Sequence, residues 1–465
     1  MREGYDTALW AARRRPLERL EGAAVRAYLD KPDQDARPIL EAIRYALGFA
    51  KLWTLEASDG TVVDVSEQLE QHAAFVRDAL APRLKTGLWE AAGELPEVLR
   101  RTRDLRKTVL QRVDRDALEG EVTTRLLAVA SGGGGGAGYV YPGSYEMLER
   151  GGLTPDIMAG TSIGALMSMF RCRRRRWDIA PLVAAARQLS WSKVFQVLET
   201  ENRYGLPATL RLYLRQTLGQ LFRHDSGRQL WLSDMEIPLY IVATGITVDA
   251  LKHDLDYYEH LLDSDLRRRV GVRGGIKAVQ ILREFLGRRD ALREVVLGRA
   301  EGTEDFDVLD AAGFSASIPA VIHYDVLRDD PRMKGLLDRL YAAYGITRLG
   351  EGGMVSNVPA RILWETAVSG KLQRRNVFVL ALDCFAPNSR KLAWLPFQQL
   401  VRTANVEADR AFADCYVPYS RTPSPVNLVP SIRDALTAIR WGREAIEPRM
   451  PYIKEMMRPV AVLGD

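Results

Sequence analysis

The sequence predicts an α/β protein, with a three-layer α/β/α domain behind a helical N-terminal region. Three observations carry this. Apolar side chains recur at helical spacing through residues 1 to about 120. From Leu126 to Met167 the pattern becomes strand, glycine loop, helix, strand, sharp turn, helix. Two later apolar runs, Ile237 to Thr244 and Val377 to Leu382, suit strands buried on both faces. The expected regions are a helical region at 1–120, a main domain at 121–390 with a polar insertion at about 250–305, and a C-terminal helical extension at 391–465.

In the N-terminal region, Leu17 to Leu29 and the set Ile39, Leu40, Ile43, Leu47 and Phe49 have helical periodicity. Val65 to Leu80 and Leu95 to Leu110 continue it. Polar breaks fall at Lys31-Pro32-Asp33 and Ser58-Asp59-Gly60.

Composition limits the function classes. The chain has 465 residues, 47% hydrophobic and 27% charged, as expected of a globular protein. Its formal charge of +5 comes from 65 basic and 60 acidic residues. So mild a bias is compatible with an anionic lipid surface, but without a reading motif it gives no case for nucleic-acid binding. Cys172, Cys384 and Cys415 are odd in number and widely spaced, which argues for a reducing compartment and against a disulfide framework or a zinc site. The first residues lack the apolar core of a signal peptide, and no run of about 18 apolar residues occurs. A cytoplasmic protein is expected, with peripheral membrane contact as an option. The sequence carries no signal of oligomeric state.

The stretch from Leu126 to Met167 organises the chain. Leu126 to Ala130 is a short apolar strand, and the glycines Gly132 to Gly136 follow, then Ala137 and Gly138. Tyr145 to Arg150 forms a helix that stops at Gly151-Gly152. Ile157 to Ala159 begins a second strand that enters Gly160-Thr161-Ser162-Ile163-Gly164, and a small-residue helix starts at Ala165. Gly160 and Gly164 frame a G-x-S-x-G turn. Such a turn lifts the serine hydroxyl clear of the sheet, and the following helix aims its N-terminal amides at charge that develops beside it. The glycine run offers further unhindered N–H groups. Ser162 is therefore the candidate nucleophile. Gly133, Gly134, Gly135, Gly136, Gly138 and Ile163 are the candidate oxyanion hole.

These residues resemble the patatin-like phospholipase family. Its pattern is G-G-G-x-(Arg or Lys)-G, a further glycine, then G-T-S-x-G-A-L. The chain has Gly133 to Gly138, Gly143, then Gly160 to Leu166, with Ala137 where the family carries a basic residue. Leu309 to Pro319 is similar to the family's segment beside the cleft. Near Gly352, Gly353, Asn357 and Pro359 the sequence is similar to the family's Asp-Gly-Gly and Asn-x-Pro motifs, with Glu351 in the aspartate position. The resemblance covers roughly residues 122 to 390. It implies a serine acyl hydrolase with a serine–carboxylate dyad, Ser162 and Glu351, that releases fatty acid from phospholipids or other acyl lipids. It implies no metal and no cofactor.

Histidine placement supports a dyad independently. The histidines are His72, His224, His253, His260 and His323, so none lies in the last 142 residues (465 minus 323). A conventional α/β-hydrolase triad has its histidine last in chain order; only His323 could serve, and it precedes Glu351. Glutamate and aspartate have similar unperturbed pKa values, about 4.3 and 3.9. The extra methylene of Glu351 must fold back to reach the serine. Three outcomes follow: a working Ser–Glu dyad, a weak enzyme, or an inactive protein that keeps a lipid pocket. Asp383, at a strand end, is a spare acid whose expected role is structural.

Other features read as structure. Arg171-Cys172-Arg173-Arg174-Arg175-Arg176 reads as a solvated helix end more readily than a phosphate patch. Residues 178 to 235 look helical and amphipathic. His253 and His260 read as part of the polar insertion, a candidate lid, and not as metal ligands. Trp394-Leu395-Pro396-Phe397 reads as packing before membrane contact. Gly133, Gly135 and Gly138 spell the dinucleotide-binding G-x-G-x-x-G, but Asp156 precedes the second strand instead of ending it.

Overall fold

The computed structural model describes residues 7–57, 59–197, 203–206, 208–247, 289–326, 328–372, 374–386 and 406–464. Most of the insertion, with His253 and His260, lies outside these residues, as does Trp394-Leu395-Pro396-Phe397. The chain forms two compact units. One comprises Met1–Ala128, Trp364–Val379 and Pro448–Asp465; the other comprises Val129–Leu363 and Leu380–Glu447. Among the described residues, no helix is long and apolar enough to cross a membrane.

The first unit is mainly helical. Helices span Thr7–Asp30, Arg37–Ala50, Ser66–Leu84, Leu95–Val109 and Arg115–Thr123, and Met450–Met457 belongs to the same unit. The break near Asp59 is the turn of a small antiparallel hairpin, β1 (Thr54–Glu56) with β2 (Val62–Asp64), which helical periodicity alone did not suggest. Tyr45, Phe49, Leu55, Leu69, Val109 and Leu118 form a buried core. In the same unit, the buried Glu21 carboxylate takes Arg44, Lys51 and Arg125. These cations hold its pKa well below the carboxylate range, against the cost of burial.

The second unit has the α/β/α architecture. The main sheet contains β3 (Leu126–Ser131), β4 (Ile157–Thr161), β7 (Leu239–Ile246), β8 (Leu292–Leu297), β10 (Arg348–Gly350), β11 (Val377–Asp383) and β12 (Cys415–Pro418), with the first residues of β3 and β11 counted in the first unit. The order is β10-β7-β4-β3-β11-β12, with β8 also paired to β7. β4 and β7 run parallel, as do β11 and β12. β3 and β11 keep a constant register, with Leu126 N–H on Asn376 O and Gly132 N–H on Leu382 O. β8 and β10 are antiparallel to β7. The central strands are buried along nearly their whole length, which is why they read as unbroken apolar runs.

A second sheet joins β5 (Phe195–Val197), β6 (Ala208–Leu212) and β9 (Ala320–His323). It lies partly where the sequence suggested only helix: Ala180–Gln188 is a helix, but the chain then turns into β5 and β6. β8 likewise adds a sheet strand inside the range expected to be a polar insertion.

Two glycines set a close helix contact. A Cβ on Gly143, in helix Tyr141–Arg150, would stand 1.9 Å from Ile439 O. One on Gly442, in helix Ile432–Ile446, would stand 1.9 Å from Val140 O. The Ser144 hydroxyl donates to Gly442 O across the same contact.

Candidate active site

Two strand ends meet on one edge of β7. Thr161 of β4 pairs with Val242, and Gly350 of the antiparallel β10 pairs with Thr244. The next residue of each strand, Ser162 and Glu351, therefore arrives opposite Ala243. There the Ser162 hydroxyl donates to Glu351 Oε2 at 2.9 Å. The other carboxylate oxygen, Oε1, accepts the N–H of Gly353 at 3.2 Å. The side chain thus folds back over its own turn, and the extra methylene is taken up there.

Ser162 has φ 55° and ψ −125°, and it is the one non-glycine residue with positive φ among the described residues. Such a backbone is costly and persists only where its surroundings hold it. Its N–H donates to Ser315 Oγ at 2.8 Å, and the Ser315 hydroxyl donates onward to Val242 O. Thr161 Oγ1 donates to Ser356 O at 2.9 Å. The turn is tight: a Cβ on Gly164 would lie 2.0 Å from Ser131 O, and one on Gly160 2.6 Å from Ala165 Cα. On the other side, Thr244 Oγ1 donates to Glu351 O and Glu351 N–H donates to Ser317 O. A Cβ on Gly352 would lie 2.1 Å from Val242 O, so this loop sits directly on β7.

The candidate oxyanion residues divide into two groups. Gly133 N–H donates to Asn357 O and Gly136 N–H to Pro425 O, so both amides are engaged. Gly138 lies within the 3-10 turn Gly135–Val140, packed on the Ile163 side chain. The N–H groups of Gly134, Gly135 and Ile163 have no acceptor among the described residues. Ile163 opens helix Ile163–Cys172, whose positive end faces the serine.

Burial pushes the Glu351 carboxyl up to about 7, while the Gly353 N–H and the Ser162 hydroxyl pull it down. A second buried carboxylate, Asp409, is also pushed up to about 7 by burial, against Ser356 and Arg361. Ser356 Oγ donates to Asp409, and Arg361 pairs with both Asp409 and Glu294.

The hydroxyl of Ser162 opens into an apolar pocket enclosing about 1060 Å³, part of it open to solvent. Leu166, Phe170, Leu182, Phe195, Leu212 and Ile439 are among its walls, and no lining residue carries a formal charge.

The remaining candidates fall elsewhere. His323 is buried in β9, with Nδ1 on Leu206 O at 2.8 Å. Asp383 binds Phe385 N–H and the Tyr416 hydroxyl, which makes it a cap of the strand end. Arg171 is buried and donates to the carbonyls of Arg174 and Arg175, closing its own helix end, and Arg174 pairs with Glu236. Asp156 lies in the loop before β4, away from the end of that strand.

Sequence reasoning missed Ser315, Thr244 and Asp409. Ser315 lies inside the segment Leu309 to Pro319, but its bond to Ser162 joins residues 153 apart and leaves no local spacing signal.

The family model described as patatin-like phospholipase matches residues 129–364. A curated relative, "Neuropathy target esterase sws" of Drosophila willistoni, is 29% identical over 131 residues. That match covers 27% of this chain and 8% of the relative's length.

Proposed function

The chain belongs to the patatin-like phospholipase family, and we propose that it is a serine acyl hydrolase acting through a Ser162–Glu351 dyad. One observation carries this reading: the Ser162 hydroxyl donates to Glu351 Oε2 at 2.9 Å, and Ser162 lines an uncharged apolar pocket. An acyl chain of a phospholipid or another acyl lipid fills the pocket, with its ester carbonyl beside Ser162.

Ionised Glu351 takes the proton from Ser162 Oγ as the oxygen attacks the carbonyl carbon. The oxygen of the tetrahedral intermediate takes up negative charge, and the amides of Gly134, Gly135 and Ile163 stabilise it. Glu351 then gives its proton to the departing alkoxide, and the acyl group stays on Ser162. In the second half, Glu351 accepts a proton from water as the water attacks the acyl-enzyme. The proton returns to Ser162 Oγ as the free fatty acid leaves. A base whose pKa lies near 7 accepts a proton from serine more readily than an ordinary carboxylate and is still ionised above neutrality.

The test is fatty-acid release from a soluble short-chain ester and from phospholipid, using wild type, Ser162→Ala, Glu351→Gln and Glu351→Asp. Activity lost in both Ser162→Ala and Glu351→Gln supports the dyad. Activity that survives Ser162→Ala ends the assignment. A silent wild type revived by Glu351→Asp would favour an inactive lipid-binding protein.

A further inference from the structure

The rim of the pocket carries a second pattern. Among the described residues of the unit Val129–Leu363 with Leu380–Glu447, the exposed large apolar side chains are Trp191 (48%), Val321 (37%), Val426 (58%) and Leu436 (47%). Three of them belong to the pocket wall or adjoin it. Leu436 is itself part of the pocket wall. Val426 stands two residues before the wall residue Leu428. The Trp191 ring lies 4.8 Å from that of Phe195, another wall residue. Val321 precedes the wall residue Ile322 in β9, so it faces the other side of that strand.

Exposed cations also adjoin wall residues along the chain. Arg187 is four residues after the wall residue Val183 on helix Ala180–Gln188, so the two share a face. Lys193 adjoins Val194 of the wall, and among the described residues its Nζ reaches only the Gln188 carbonyl. Arg433 is three residues before Leu436 on helix Ile432–Ile446. None of the three has a carboxylate partner among the described residues. The acid beside them, Asp434, is occupied at its own helix start, where it accepts from the Ser431 hydroxyl.

We propose that this rim docks on an anionic lipid surface. Trp191, Val426 and Leu436 enter the boundary between head groups and acyl chains, and Arg187, Lys193 and Arg433 meet lipid phosphates. The proposal rests on reading the pocket as the acyl-chain site. A substrate chain must leave a bilayer to enter it, and a mouth seated in that boundary spares the chain a passage through water. Exposed apolar side chains clustered on one rim mark an interaction site. Three like charges around that rim would oppose one another in a two-fold contact with a second copy, whereas a negatively charged surface complements them.

The test is flotation with vesicles of phosphatidylcholine alone and with one third phosphatidylglycerol, using Ser162→Ala so that no lipid is consumed. Binding to the anionic vesicles, released by high salt, is expected. On the same background, Trp191→Ser with Val426→Asp, or Arg187→Glu with Lys193→Glu and Arg433→Glu, should weaken it roughly tenfold or more. With Ser162 intact, these rim variants should keep wild-type hydrolysis of a soluble short-chain ester and lose hydrolysis of vesicle lipid. Equal binding to neutral vesicles, or rim variants that bind like their parent, would overturn the proposal. So would rim variants that turn a dimer into a monomer while vesicle binding stays. Vesicle binding by a protein that hydrolyses no ester upholds the docking face and defeats only the hydrolase assignment.

Discussion

The N–H of Ser162 donates to the Ser315 hydroxyl at 2.8 Å, and this bond takes the nucleophile's own amide out of reach of an oxyanion. It also ties the strained serine to β7, because the Ser315 hydroxyl donates a hydrogen bond to Val242 O. Ser315→Ala should therefore leave KM nearly unchanged and lower kcat. A misplacement of about 1 Å costs on the order of a hundredfold, so the expected loss is roughly ten- to a hundredfold. Steady-state kinetics on a soluble ester checks this, and an unchanged kcat would remove Ser315 as a positioning residue.

The pH profile follows from the burial of Glu351. Only the ionised carboxylate accepts a proton, and its pKa is pushed up to about 7. The value of kcat/KM should rise with pH through an apparent pKa near 7 and level off above it. A profile flat from pH 5 to 8 would contradict the assignment of Glu351 as base.

The same shift has a stability sign. The folded pKa lies above the ordinary 4.5, so the folded protein holds an extra proton between about 4.5 and 7. The stabilisation from that proton is full below 4.5 and is lost as pH rises through 7. Glu351→Gln cannot ionise. It should match wild type near pH 4 and exceed its stability by on the order of 3 kcal/mol at pH 8. Urea denaturation at the two pH values measures the difference; equal stability at pH 8 would show that burial of the charge costs nothing.

A different kind of constraint governs the helix that walls the pocket. A methyl group on Gly442 has no space beside Val140 O. Gly442→Ala should destabilise the protein by roughly 1–3 kcal/mol and reduce hydrolysis of long-chain esters more than short ones, since Ile439 and Leu436 move with the helix. Gly464→Ala, with open space around it, is the matched control.

The sheet was legible because parallel strands covered on both faces leave uninterrupted apolar runs, as Leu126 to Ala130 and Val377 to Leu382 do. The serine turn was legible because close packing admits only glycine at position 164. β5 and β6 were not, since three to five residues of mixed polarity between short helices leave no period to count. The fold-back of Glu351 onto Gly353 depends on side-chain torsions, and the bond of Ser315 to Ser162 on tertiary packing; neither has a sequence signature. The buried Asp409 has no local signal either, because its partners Ser356 and Arg361 lie far from it in the chain.

β4 and β10 abut end to end along a single strand, β7, with Ala243 at the join. Ser162 and Glu351 are 189 residues apart in the chain, yet both are indexed to the same ruler. Whatever is inserted into or deleted from the intervening loops, the two groups meet at the same mark as long as β7 keeps its pairing. Chain length between nucleophile and base is thereby uncoupled from their alignment, so this region can diversify its outer segments without retuning the distance on which proton transfer depends.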